Sequence, residues 1–245
     1  MLAQCTTPQS PNAQHALTLF DARSDMKDVK KACKIIGQMG GGVPAEGDPD
    51  HPRTPGDFSQ CHPSLMYDEE TGVIKKNEGE EQMWSTALSS TVMQPDTGKY
   101  VMKCVVDPPD GETAPNNEIM LGVADEDFDV EGGDPDSQGD ESAMLGAAFT
   151  AKGWGWYVLN GAAYHREGDA EDGKNKVAGN KKWDHTKSRA HAGQRVRLTY
   201  DSDKGTLFVH RQGKPLGQLC SGIDGPVRWM VQQQDPESSV KVKKH

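Results

Sequence analysis

The sequence predicts an all-β protein, a sandwich or barrel, carrying a short N-terminal helix. Three observations carry that prediction. From residue 58 to Val242, strand-length apolar runs alternate with turn signals, and none of the runs is long enough for an ordinary helix. The chain spends 27 residues on glycine and 15 on proline, which punctuate those runs. Its hydrophobic content is only 34%, so 245 residues suit one core with long insertions better than two full domains.

Residues 1 to 57 read as an N-terminal segment and 58 to 245 as the β domain. Little pattern precedes Ser24 beyond the run ALTLF at 16 to 20. Ser24 then caps a helix with Asp25 and Asp28 in its first turn and Lys27, Lys30, Lys31 and Lys34 following, a charge order that suits the helix dipole. Met26, Val29, Cys33 and Ile36 fall on one face, the pattern of a short amphipathic helix resting on the domain, with a partner-docking helix as the alternative. Gly40, Gly41 and Gly42 end it, and the Gly, Pro and Asp of GGGVPAEGDPDHPRTPGD make an irregular linker to Asp57.

The expected strands follow in order: LMYDEETGVIKK, QMWSTALSSTVM, KYVMKCVV, EIMLGVA, AAFTA, WGWYVLNG, RVRLTY, TLFVH, VRWMVQQ and SVKVK. Val196, Leu198 and Tyr200 alternate with polar residues, Asp201 to Gly205 turns the chain, and Gln212-Gly213 makes a tight second turn. Two loops of opposite charge interrupt the series. Asp125, Glu126, Asp127, Asp129, Glu131, Asp134, Asp136, Asp140 and Glu141 crowd one, in a stretch without Lys or Arg between Lys103 and Lys152. Lys174, Lys176, Lys181, Lys182, Lys187, Arg189, Arg195 and Arg197 crowd the other. Such runs are ordinarily solvated.

The net charge of -10 opposes nonspecific affinity for nucleic acid or an anionic membrane, both of which need a positive face. No stretch approaches the roughly 18 apolar residues of a membrane span. The opening MLAQCTTPQSPNAQ lacks the charged and apolar regions of a signal peptide, so the chain is expected in the cytoplasm. Cys5, Cys33, Cys61, Cys104 and Cys220 are odd in number and contain no C-x-x-C pair, the usage of a reduced compartment in which a thiol serves as a small apolar residue.

Motifs of catalysis and cofactor binding are missing from the sequence. There is no G-x-S-x-G elbow, phosphate-binding loop, H-E-x-x-H or dinucleotide fingerprint, and no cofactor is expected. Asp125, Asp127 and Asp129 open a calcium-loop frame, but Val130 stands where that loop needs glycine and Asp136 where it needs a bidentate Glu. Cys61-His62 with His51 is too irregular for a structural zinc site.

The segment YDSDKGTLFVHRQGKPLG, 200 to 217, resembles the late strands of SPRY domains, D-x-x-x-G-T-L-x-F-x-x-x-G-x-x-L-G, at Asp201, Gly205, Thr206, Leu207, Gly213, Leu216 and Gly217. Val209 replaces the commoner aromatic. TGKYVMKCVV is similar to the family's G-K-x-Y-W-E-V-x-V strand, with Met102 for Trp or Phe, and EIMLGVA to the strand after it. GWGWYVLNGAAYH, 153 to 165, resembles the central strand pair, turning at Asn160-Gly161, and GPVRWMVQQ the closing strand. The resemblance spans about residues 60 to 243 and implies a bent two-sheet antiparallel sandwich of the jelly-roll kind that binds a protein or peptide through loops at one end. A noncatalytic interaction module is therefore expected. A lectin-like or glycan-processing domain is the alternative, prompted by the aromatic strand and the surplus of acids.

Alternation places Trp154, Trp156 and Val158 on one face of their strand and Tyr157 and Leu159 on the other, with the tryptophans most simply core. Since the resemblance assigns binding to loops, Tyr164 and His165 are candidates, together with Trp183, His185 and Arg189 of the basic loop. Long cations beside an aromatic anchor are enriched at protein interfaces, and Trp183 is expected as that exposed anchor.

Overall fold

A computed structural model describes residues 53–77, 83–107, 118–132, 146–165 and 183–243. The expected helix after Ser24, most of the linker, Asp134 to Glu141 of the acidic loop and Lys174, Lys176, Lys181 and Lys182 of the basic loop lie outside the described residues.

The chain enters through β1 (Gln60–Cys61) and a hairpin of β2 (Leu65–Asp68) and β3 (Val73–Lys76). Two long strands follow, β4 (Ser85–Met93) and β5 (Lys99–Asp107), then β6 (Ile119–Asp125), β7 (Gly153–Tyr157) and the short β8 (Ala163–Tyr164). The last five are β9 (Arg195–Asp201), β10 (Thr206–Arg211), β11 (Lys214–Ser221), β12 (Val227–Gln233) and β13 (Ser239–Val242). They form a six-stranded sheet in the order β1-β4-β12-β6-β7-β8 and a seven-stranded sheet in the order β11-β10-β9-β5-β13-β3-β2. Every strand pairing is antiparallel, and no α-helix occurs among the described residues. The all-β two-sheet sandwich expected from the sequence is the architecture of the domain.

Period-two alternation builds the main core. Tyr100, Met102, Cys104 and Val106 of β5, with Val196, Leu198 and Tyr200 of β9, face Ile119, Leu121 and Val123 of β6, Trp154 and Trp156 of β7, and Val227, Trp229 and Val231 of β12. The thiols of Cys104 and Cys220 are buried in this core, where they fill space as small apolar residues.

A second apolar cluster lies on the outer face of the six-stranded sheet: Leu88 of β4, Met120 and Ala124 of β6 and Met230 of β12, covered by Trp84, Phe128, Ala147 and Ala148. The centre of this sheet is therefore buried on both sides. That explains why β6, β12 and the first half of β4 are buried residue after residue, whereas β9, solvated on its outer face, alternates.

The cover corrects one expected strand. AAFTA is no strand; Ala147–Phe149 forms a 3-10 turn. Its amides are satisfied from the sheet beneath, Ala147 N–H donating to Thr86 Oγ1 at 3.2 Å and Ala148 N–H to Gln232 Oε1 at 3.2 Å. With acceptors supplied by buried side chains, the segment needs no neighbouring strand. The glycine of β7 below makes room: a Cβ at Gly155 would stand 2.6 Å from the Ala148 Cβ. The expected strand WGWYVLNG also ends early, at Tyr157, where a turn begins.

Both turns of the late hairpins form as expected. Gln212 and Gly213 have φ of 50° and 76°, the paired left-handed geometry that matches hairpin twist. The described chain joins the sandwich at Arg53, whose N–H donates to Lys99 O at 3.3 Å and whose guanidinium donates to the Tyr100 hydroxyl at 3.2 Å. Residues 53–57 thus run along the domain, and Gly56 N–H donates to Thr91 Oγ1 at 2.8 Å.

Candidate interaction surface

The edge of the six-stranded sheet formed by β7 and β8 positions most of the candidate residues. Trp154 and Trp156 point into the core and Tyr157 outward, as alternation requires. Tyr157 sits opposite Met120 of β6, and Tyr164 of β8 opposite Gly155, so both phenols stand on the outer face.

There they complete a ring of four aromatics. Trp84 packs edge-on against Phe149 at 5.4 Å and against Tyr157 at 5.5 Å, while Tyr164 closes the circuit at 5.5 Å from Phe149 and 6.0 Å from Tyr157. These centroid distances and steep interplanar angles are the favoured aromatic geometry. Trp84 is buried, and the other three rings are half-buried. The Tyr157 hydroxyl is pushed up to about 12 by burial, with the charges of Glu118 and Tyr164 adding to it. This phenol stays neutral at every ordinary pH.

The turn after β7 links the aromatics to the basic segment. Asn160 Oδ1 accepts from Ala162 N–H at 2.8 Å, fixing the turn, and its amide reaches the Tyr164 hydroxyl at 3.4 Å. Gly161 follows with φ of +79°, and a Cβ there would lie 2.1 Å from the His185 carbonyl oxygen. Only glycine lets the segment 183–190 seat directly on this turn.

That segment is a strap. Trp183 Nε1–H donates to Gly161 O at 2.7 Å, Trp156 Nε1–H to Ser188 O at 2.9 Å, and Ala190 N–H to Val158 O at 2.9 Å. The Arg211 guanidinium of β10 donates to the Arg189 carbonyl, so the strap touches both sheets. Asp184 caps the 3-10 turn His185–Lys187 by accepting from Thr186 N–H at 3.1 Å and its hydroxyl at 2.6 Å. These bonds, above all that of the Thr186 hydroxyl, and the Lys187 ammonium 2.9 Å away hold the Asp184 carboxyl down at about 2.

The five candidates therefore separate. His185 and Arg189 are exposed on the strap, and Tyr164 is half-buried in the aromatic ring. His165 is turned inward, 8% exposed, stacked on Trp154 with 4.6 Å between ring centroids and bonded through Nδ1 to Gly153 O at 2.9 Å. Trp183, expected as an exposed anchor, is half-buried against the main core. The geometry corrects both expectations: an indole N–H and an aromatic face are better satisfied against the open side of the sandwich than in water.

Sequence reading missed the contribution of Trp84, Phe149 and Glu118 to this surface. Alternation alone put Tyr157 on the outer face, but the partners of that face come from distant segments. Glu118 precedes β6, in which Ile119, Leu121 and Val123 point inward, so its side chain shares the outer face with Met120 beside Tyr157. Gln234 N–H donates to Glu118 O at 3.1 Å, which brings Asp235 to the same end of the sheet. Burial first, and the charge of Asp235 second, push the Glu118 carboxyl up.

Among the described residues no group of three or more His, Cys, Asp or Glu is placed to hold a metal ion, and the full calcium-loop frame extends outside them. No helix among them is long and apolar enough to cross a membrane.

No family model matches the chain, and no curated protein matches it in sequence. Among solved structures, the SPRY domain of human HERC1 is similar with a TM-score of 0.52 at 15% identity, covering 76% of this chain and 95% of that one. The TRIM65 PSpry domain has a TM-score of 0.48 at 11% identity, covering 79% of this chain and 94% of its own. The sandwich has a SPRY-like fold, as the late-strand motif implies.

Proposed function

We propose that this SPRY-like sandwich is a noncatalytic interaction module that binds a peptide or protein surface along its β7–β8 edge, between the outer aromatic ring and the exposed face of the strap. The observation that carries the reading is the half-exposed trio of Phe149, Tyr157 and Tyr164, held by a rigid sheet and joined through Asn160 to the strap that presents His185 and Arg189. Aromatics and arginine on a preorganised scaffold are the usual makings of an interface hot spot. The rings meet edge to face and consume much of one another's surface, which fits a peptide side chain wedging at their rim better than a sugar stacking on an open face. An adaptor role within a larger assembly belongs to the same proposal.

Selection of peptides from a random display library on the immobilised chain tests it. Peptides should be enriched that lose affinity when Tyr164 is changed to Ser, at a thermal midpoint showing the variant folded. Enrichment of nothing above a blank support, together with binding on a glycan array, overturns the reading in favour of a lectin-like domain.

A further inference from the structure

We infer that the outer aromatic ring, with Glu118 and Asp235 at its rim, receives a cationic side chain, an arginine or lysine on a segment of a partner protein. The inference rests on the reading of the domain as an interaction module and adds the chemistry by which that surface chooses its partner.

Two carboxylates meet at the rim. The charge of Asp235 adds to the cost of ionising Glu118, and neither carboxylate is seen in an ion pair among the described residues. Asp235 is itself buried and spends one oxygen on Glu237 N–H at 2.8 Å, a bond that fixes the carboxylate. Lys76 is buried, and its ammonium is directed to the carbonyls of Met83 and Gln234. Net negative charge thus accumulates beside Tyr157.

The rings add to it in the same sense. An aromatic face carries negative quadrupolar charge, and the half-buried rings Phe149, Tyr157 and Tyr164 keep part of their surface in solvent. A guanidinium or ammonium set against them gains from the faces and from Glu118 together, and relieves the repulsion between the two carboxylates. A partner carboxylate meets repulsion from Glu118 and from the ring faces, and an apolar side chain would desolvate Glu118 without compensation. Of the two cations arginine fits better, because its flat, weakly hydrated guanidinium both stacks on a ring and offers a fork to a carboxylate.

Fluorescent glycine-serine peptides carrying a pair of arginines, lysines, glutamates or no charge, titrated against the full chain, decide the matter. The arginine and lysine peptides should bind, arginine more tightly, and the other two should not. Glu118→Gln should weaken the arginine peptide by about threefold to tenfold, whereas Glu69→Gln, the same charge change on the β2–β3 turn, should leave it unaltered. Tyr157→Leu should weaken it while retaining net charge. Equal losses for Glu118→Gln and Glu69→Gln, or equal binding of the uncharged peptide, overturn the inference. If library-selected peptides bind with affinity indifferent to Glu118→Gln, this inference fails while the interaction reading stands; if nothing binds in either experiment, both fail.

Discussion

Trp183 donates its indole N–H to the carbonyl of Gly161 at 2.7 Å, tying the strap to the turn that ends β7. The same indole packs against the main core, and its ring lies 3.9 Å from where a Cβ on Gly217 of β11 would stand. One side chain thus bridges the strap, the edge of the six-stranded sheet and the edge of the seven-stranded one. Trp183→Ala should cost roughly 2 kcal/mol, from partial burial and one hydrogen bond, and lower the thermal midpoint by about 4 to 8 °C in a domain of this size. A midpoint unchanged by the substitution would mean that the indole is exposed.

The two left-handed glycines Gly161 and Gly193 separate backbone strain from contact. Their φ values are +79° and +76°, but a Cβ at Gly161 would stand 2.1 Å from the His185 carbonyl oxygen, while at Gly193 nothing lies within 4 Å. Gly193→Ala should cost only the conformational strain, about 1–2 kcal/mol. Gly161→Ala adds a backbone collision, so the strap must lift. Amide exchange should quicken at Ala190, whose N–H is bonded to Val158 O, in the Gly161 variant alone.

Trp156 is fully buried and donates to Ser188 O at 2.9 Å. Trp156→Phe keeps an aromatic in the core but leaves a smaller ring and removes the donor, for a loss of roughly 2 to 4 kcal/mol by denaturant unfolding. Trp154→Phe, at a ring stacked on His165 with no indole bond to the strap, should cost less. Equal losses would show that the bond to Ser188 contributes nothing.

Asp125 ends β6 where desolvation, reinforced by Asp127 and opposed by Lys152, pushes its carboxyl up to about 6 from an ordinary 3.8. The folded state therefore holds this proton more tightly than the unfolded chain. The stability it contributes is complete below about pH 4 and is lost as pH rises through about 6. Asp125→Asn should be more stable than the parent at pH 8, by roughly 1 kcal/mol once solvent screening of a half-exposed group is allowed for, with the advantage vanishing toward pH 4. Denaturant midpoints at the two pH values measure it, and an advantage that grows on acidification would refute the assignment.

Much of the fold was legible locally. Alternation in RVRLTY and KYVMKCVV marks β9 and β5 and their inward faces, and Gln212-Gly213 marks the turn into β11, because side-chain period and left-handed turns are written in a few adjacent residues. In GWGWYVLNGAAYH the same rule separated inward Trp154 and Trp156 from outward Tyr157. What escaped it was whatever a second, distant segment decides. AAFTA has the composition of a strand, yet becomes a cover because Thr86 and Gln232 supply its hydrogen bonds. Trp183 and His165 have the composition of an interface, yet turn inward because the side of the sandwich offers Gly161, Gly153 and Trp154 to receive them.

The candidate site divides along the same line. The sequence by itself determined that Tyr164, His185 and Arg189 lie at the ends or outside of strands, since each follows or precedes a turn or charged run. Only the tertiary structure decided that Tyr157 and Tyr164 meet Trp84 and Phe149, and that Glu118 and Asp235 share a rim, because strand order in the sheet, β4-β12-β6-β7, interleaves segments far apart in the chain. Periodicity states which way a side chain points; the sheet in which its strand is paired states what it points at.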